Sequence, residues 1–148
     1  MNGEWDPKVI VVATDGSDQS IHAAAVATGI ARAHGSKVHF LTVVRPPEGW
    51  WGVGGAPPPP EAVSDALIEG QGEVLDTTIM AVDLTGVEHE ATTELGDPAA
   101  SIISYCEENG ADLLVIGRRG AGVIERFVMG SVADRLAHYA PCQLLIVP

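Results

Sequence analysis

Apolar residues fall in short, mostly β-branched runs, separated by longer stretches in which they recur at helical spacing. Val-Ile-Val-Val-Ala at 9–13 is the first run, and it stops at Thr14-Asp15-Gly16-Ser17. The Ala-rich stretch 18–34 predicts a helix, with Ser17 or Asp15 as N-cap and Gly35 just past its end. Residues 38–44 predict a second strand, and 46–60 a Pro/Gly loop that holds Trp50-Trp51 and Pro57-Pro58-Pro59-Pro60. A helix weakened by Gly70 and Gly72 is expected over 61–82, followed by a very polar third strand over 88–95. Asp97-Pro98 opens the next helix, with proline in its first turn, and that helix runs to about Asn109-Gly110. Residues 112–117 predict the fourth strand, 118–128 a loop, 130–139 a helix and 143–147 the fifth strand.

Strands alternating with helices predict a parallel sheet covered on both faces through right-handed crossovers. The wholly apolar first and fourth strands belong in its interior. The third belongs at an edge, where Glu88, Glu90 and Glu94 reach water. The fifth strand is apolar and ends the chain, so the expectation is that residues 143–147 pair with a second copy in a homodimer.

In open sheets of this kind, ligands bind beyond the carboxyl ends of the strands, where strand order reverses. Two segments suit that place: Thr14-Asp15-Gly16-Ser17, and Gly117-Arg118-Arg119-Gly120 with Gly130-Ser131 opening the last helix. Glycine lets backbone N–H groups approach phosphate oxygens, and a helix N-terminus adds unpartnered donors and a favourable dipole. Ser131 is expected to serve both as N-cap and as a hydroxyl donor to phosphate.

Charge sharpens this picture. The chain of 148 residues carries 20 acidic and 8 basic side chains, a net −12. That surface disfavours nucleic acid and anionic membranes as partners. Yet Arg118, Arg119 and Arg126 lie within nine residues, opposed there only by Glu125. The 72 residues between Arg45 and Arg118 hold 14 acidic groups and no Lys or Arg, which leaves 6 acidic and 8 basic groups elsewhere. The acidity belongs to the middle of the chain, and the candidate anion site to the terminal segments.

Length and a hydrophobic content of 46% suit one compact domain and exclude a disordered acidic chain. The first residues have no basic or apolar leader region, and no apolar run approaches a membrane span, so a cytoplasmic protein is expected. Cys106 and Cys142 lack metal-ligand spacing and are expected to be reduced, buried thiols. Ser17 and Ser131 have no evident triad partners, His22, His34, His39, His89 and His138 are scattered, and no G-x4-G-K-(S/T) loop occurs. Glu61, Asp65, Glu69 and Glu73 recur on one helical face, which reads as solvated.

The spacing Gly117-x2-Gly120-x9-Gly130-Ser131 resembles the ATP-binding signature of the universal stress protein family, G-x2-G-x9-G-(S/T). The likeness extends to Thr14-Asp15-Gly16-Ser17 after an early strand, to the Pro/Gly loop, and to the terminal Ala140-Pro141-Cys142-x-Leu144-Leu145-Ile146-Val147. It implies a Rossmann-like, open, twisted five-stranded parallel sheet in order 3-2-1-4-5. It further implies that Gly117, Gly120, Gly130, Ser131 and Val132 hold the phosphates and ribose, that Asp15 lies beside the nucleotide, and that the Val43 backbone meets adenine. Ala13, Thr14, Arg118 and Arg119 complete the candidate site. The pair Arg118-Arg119 departs from the smaller or less charged residues that many members carry there, and should strengthen phosphate affinity.

The implied function is binding of ATP, or of AMP or ADP, in a regulatory stress-response module. Mg²⁺ or Mn²⁺ would arrive with the nucleotide and be shared by Asp15. The alternatives are a slow Mg-dependent ATPase or autokinase, and a chaperone-like dimer binding another anion such as cyclic AMP.

Overall fold

The computed structural model describes residues 4–45, 61–118 and 129–148. Its elements are β1 (Val9–Ala13), α1 (Asp18–His34), β2 (Lys37–Val44), α2 (Glu61–Met80), β3 (His89–Leu95), α3 (Pro98–Glu108), β4 (Leu113–Gly117), α4 (Ser131–Tyr139) and β5 (Gln143–Val147). All five strands are parallel, in the order β3-β2-β1-β4-β5. The interior positions of β1 and β4 and the edge position of β3 follow the sequence pattern. Among the described residues, no helix is long and apolar enough to cross a membrane.

Side chains alternate across the sheet and feed two separate cores. Ile10, Val12, Val38, Phe40, Leu113 and Val115 face α1 and α2, where they meet Ala23, Ala24, Ala27, Ala31 and Leu75. Val11, Leu41, Leu114 and Ile116 face α3 and α4, where they meet Ala99, Ile102, Tyr105, Cys106 and Leu136. Small residues dominate the buried face of α1: Ser20, Ala23, Ala24, Ala27, Thr28 and Ala31.

Local chemistry sets the element ends. Ser17 is the N-cap of α1, accepting the Ser20 N–H at 3.2 Å, while Asp15 accepts the Ser17 N–H at 2.9 Å. Gly35, at φ +68°, closes the helix in the left-handed conformation. The second helix stops at Met80 rather than 82, because the Ala81 N–H is shared between Thr77 and Thr78 carbonyls and Val82 turns back to Ile79. The second strand starts one residue earlier than its apolar run, because Lys37 N–H bonds to the Lys8 carbonyl. Cys106 is buried as expected, but Cys142 is only half-buried, since it lies in the turn before β5. Packed beside Cys142, the Cys106 thiol is pushed up to about 12 by burial.

The β3 edge carries its charges in pairs. Lys37 sits 2.8 Å from Glu90 and 3.9 Å from Glu88, and next to them the buried His39 places Nδ1 2.8 Å from the Tyr105 hydroxyl and 3.1 Å from Glu90. Burial holds the His39 imidazole below its ordinary 6.5 despite the carboxylate beside it. In the unfolded chain His39 titrates near its ordinary value, so below roughly pH 6.5 the unfolded state takes up a proton that the folded state resists. Stability should therefore decline as pH falls from 7 to 5.5. Urea titrations at the two pH values should show that decline in the native chain and a smaller one in His39→Gln; an equal decline in both would assign it elsewhere.

Candidate nucleotide-binding cleft

At the carboxyl ends of β1, β2 and β4 the chain leaves a cavity of about 330 Å³, within the size range of small-molecule sites. It lies where the order of winding reverses between β1 and β4. Ala13, Thr14, Asp15, Val43, Gly117, Gly130, Ser131 and Val132, all candidates from the sequence, line this one space. Arg118 is described but does not line it. Its N–H donates to the Val147 carbonyl at 2.8 Å and its carbonyl accepts from the Gly130 N–H at 3.0 Å, so its backbone ties β5 and the start of α4 together. Arg119, Gly120, Arg126, Trp50 and Trp51 lie outside the described residues.

The lining divides by chemistry. Leu41, Val43, Ile102 and Ile116 supply apolar wall from β2, α3 and β4. Thr14, Asp15, Ser20 and Ser131 supply polar groups, and Asp15 is the one carboxylate among the described lining residues. Leu41, Pro98, Ile102, Ile116, Ala133 and Ser20 carry no signal of their own in the sequence. For Leu41 the only clue is its period-two relation to Val43; for Ile116 it is the glycine that follows.

Two helix N-termini at this cavity are treated in opposite ways. At α3 the first turn offers less: Pro98 has no N–H, and the Asp97 carboxylate accepts the Ala100 N–H at 3.0 Å. That bond, with Arg135 at 2.9 Å and Arg45 at 3.3 Å, holds the Asp97 carboxyl below the usual range. At α4 the N-cap is Gly130, which has no side chain to bond the turn. Ser131 is thus the first helical residue and not the N-cap expected from the sequence. The first intrahelical donor is Asp134, bonded to the Gly130 carbonyl at 2.9 Å. The N–H groups of Ser131, Val132 and Ala133 therefore have no acceptor within the helix, and all three residues line the cavity.

The glycines have unlike duties. Gly130 leaves α4 uncapped, while its own N–H is held by Arg118. Gly117 is packed on α1: a Cβ there would stand 3.2 Å from the carbonyl carbon and the Cβ of Gln19. Gly16, at φ +81°, takes a backbone conformation that side chains disfavour, and a Cβ there would also lie 3.2 Å from Val74. Among the described residues, no group of three His, Cys, Asp or Glu side chains could hold a metal by itself.

The family profile of the universal stress proteins matches residues 7–148. The chain belongs to that family. A universal stress protein of Methanocaldococcus jannaschii is 35% identical, over 99% of this chain and 85% of the relative. One of Thermus aquaticus is 36% identical, over 95% of this chain and 98% of its own length. A crystal structure of a universal stress protein in complex with cAMP superposes at a TM-score of 0.64 and 28% identity, covering 97% of this chain and 98% of that one.

Proposed function

We propose that this universal stress protein binds an adenine nucleotide, ATP in the first place, and acts as a regulatory module rather than a turnover enzyme. The observation that carries the reading is the uncapped N-terminus of α4, whose first residues Ser131, Val132 and Ala133 line the cavity. N–H groups without a helical acceptor, with the positive end of a helix dipole behind them, suit a phosphate group. The apolar wall of Leu41, Val43, Ile102 and Ile116 suits a base. Mg²⁺ or Mn²⁺ fits only as a passenger of the nucleotide: Asp15 is a single carboxylate, so phosphate oxygens and water must supply the other ligands.

The same lining favours binding over hydrolysis. Asp15 is the one titratable side chain among the described lining residues, and its Oδ1 already accepts the Ser17 N–H at 2.9 Å. A dimer through β5 belongs to this reading, because that strand ends the sheet with Leu144, Leu145 and Ile146 half-buried along an open edge.

Protein purified without added nucleotide and then denatured should release an adenine nucleotide detectable by mass spectrometry, and sedimentation of the native sample should give the mass of a dimer. Cyclic AMP enters as a competitor because a relative 28% identical is solved with it. Calorimetry with ATP, AMP and cyclic AMP should rank ATP tightest. No released nucleotide and no heat with any of the three would end the proposal.

A further inference from the structure

Three hydroxyls form a buried chain between the cavity and α2. Thr14 Oγ1 lies 3.0 Å from Ser20 Oγ and 2.9 Å from Thr78 Oγ1. Each end of the chain also reaches a carbonyl: Ser20 Oγ that of Ser17 at 2.9 Å, and Thr78 Oγ1 that of Val74 at 3.0 Å. Thr14, Ser20 and Thr78 are 5%, 4% and 0% exposed. Four contacts therefore draw on only three protons.

That deficit leaves two continuous arrangements. In one, Ser20 donates to Thr14, Thr14 to Thr78, and Thr78 to the Val74 carbonyl. In the other, Thr78 donates to Thr14, Thr14 to Ser20, and Ser20 to the Ser17 carbonyl. Thr14 is saturated in both, because it also accepts the Gly16 N–H at 3.2 Å, so its hydroxyl has nothing to offer a ligand. Ser20 is different. It lines the cavity, and in the second arrangement its proton goes to the Ser17 carbonyl, which already accepts the Ile21 N–H at 2.9 Å. Ser20 can turn that proton to an acceptor in the cavity and leave no backbone group orphaned. A chain running Thr78 to Thr14 to Ser20 also polarises each successive donor.

We propose that Ser20 is a side-chain donor of the cavity to an oxygen of the ligand, and that Thr78 is a positioning residue that sets, through Thr14, which way this proton points. The acceptor is a ribose or a phosphate oxygen, and the inference rests on the nucleotide reading above. It gives α2, none of whose described residues lines the cavity, an indirect part in ligand recognition.

Calorimetry with ATP on Ser20→Ala, Thr78→Val, Thr78→Ser and the double variant Ser20→Ala/Thr78→Val tests it. Ser20→Ala should weaken binding about tenfold, the worth of one hydrogen bond. Thr78→Val leaves Ser20 as the one hydroxyl Thr14 can donate to and removes the arrangement that draws the Ser20 proton inward, so it should tighten binding about twofold or more, and Thr78→Ser should return it to near the native value. The double variant should bind as Ser20→Ala does, because the two act through one proton chain. A purely structural Thr78 would lower the melting temperature of ligand-free Thr78→Val and leave the affinity of the folded protein alone, which would overturn the proposal. A gain from Thr78→Val that persists without the Ser20 hydroxyl, or native affinity in Ser20→Ala, would also overturn it; the last result decides even where Thr78→Val does not fold. AMP and adenosine locate the acceptor, since a loss that persists with adenosine places it on the sugar. A native chain that binds none of the three overturns the nucleotide reading and this inference together.

Discussion

Ser131→Pro should leave the ligand-free protein as stable as the native chain and weaken ATP binding by about a hundredfold or more. Proline suits the first helical position, where its ring pre-sets φ near −65° and the missing N–H has no helical acceptor to disappoint. A residue before proline is confined to extended or polyproline backbone, and Gly130 already sits at φ −63° and ψ 155°. The fold therefore loses nothing. The cavity loses one backbone donor and one hydroxyl, each worth about 1.5–3 kcal/mol where the acceptor is charged. Ser131→Ala separates the two, because it removes the hydroxyl and keeps the N–H. Thermal melts without ligand and calorimetry with ATP check both halves. Native affinity in Ser131→Pro would show that the α4 N-terminus is not where the anion binds.

The alternation of apolar runs and helical stretches made the elements legible, and their ends fell within two residues of the pattern. The small departures have local causes that composition hides. Lys37 extends β2 because a neighbouring carbonyl is in register, and α2 tightens after Met80 because Ala81 shares its N–H. Strand order was legible only through the resemblance carried by the Gly117-to-Ser131 spacing, since apolar runs do not say which strand each one pairs with.

The polar half of the cavity was readable because glycine, serine and aspartate at strand ends are unusual enough to notice. Its apolar half was not. Leu41, Ile102 and Ile116 are the residue types any core uses, and only the strand registers and the seat of α3 bring them to the end of that core which lines the cavity. Thr78 was beyond sequence reasoning altogether. It lies 64 residues from Thr14 on a helix that otherwise serves packing, and its role exists only in three dimensions. Ser131 shows the opposite failure: a good capping residue in the right place was read as the cap, while the glycine before it holds that position and leaves the turn open.

Gly117→Ala should destabilise the ligand-free protein by about 1–3 kcal/mol, the usual range for over-packing, and lower its melting temperature by roughly 2–4 °C for each kcal/mol. The added methyl would stand 3.2 Å from the Gln19 carbonyl carbon and Cβ and 3.3 Å from its carbonyl oxygen. Two of those three atoms are backbone, so no side-chain rotation relieves the contact and α1 itself must move. Its first turn holds Ser17 and Ser20, and Ser20 lines the cavity, so ATP affinity should fall as well. A glycine kept only for close approach of a phosphate predicts something else: lost affinity with an unchanged melting temperature in the absence of nucleotide. Ligand-free calorimetric melts distinguish the two accounts directly. A lowered melting temperature would mean that the first glycine of the motif seats α1 on β4, and that the phosphate-binding end of the cavity is shaped by that packing.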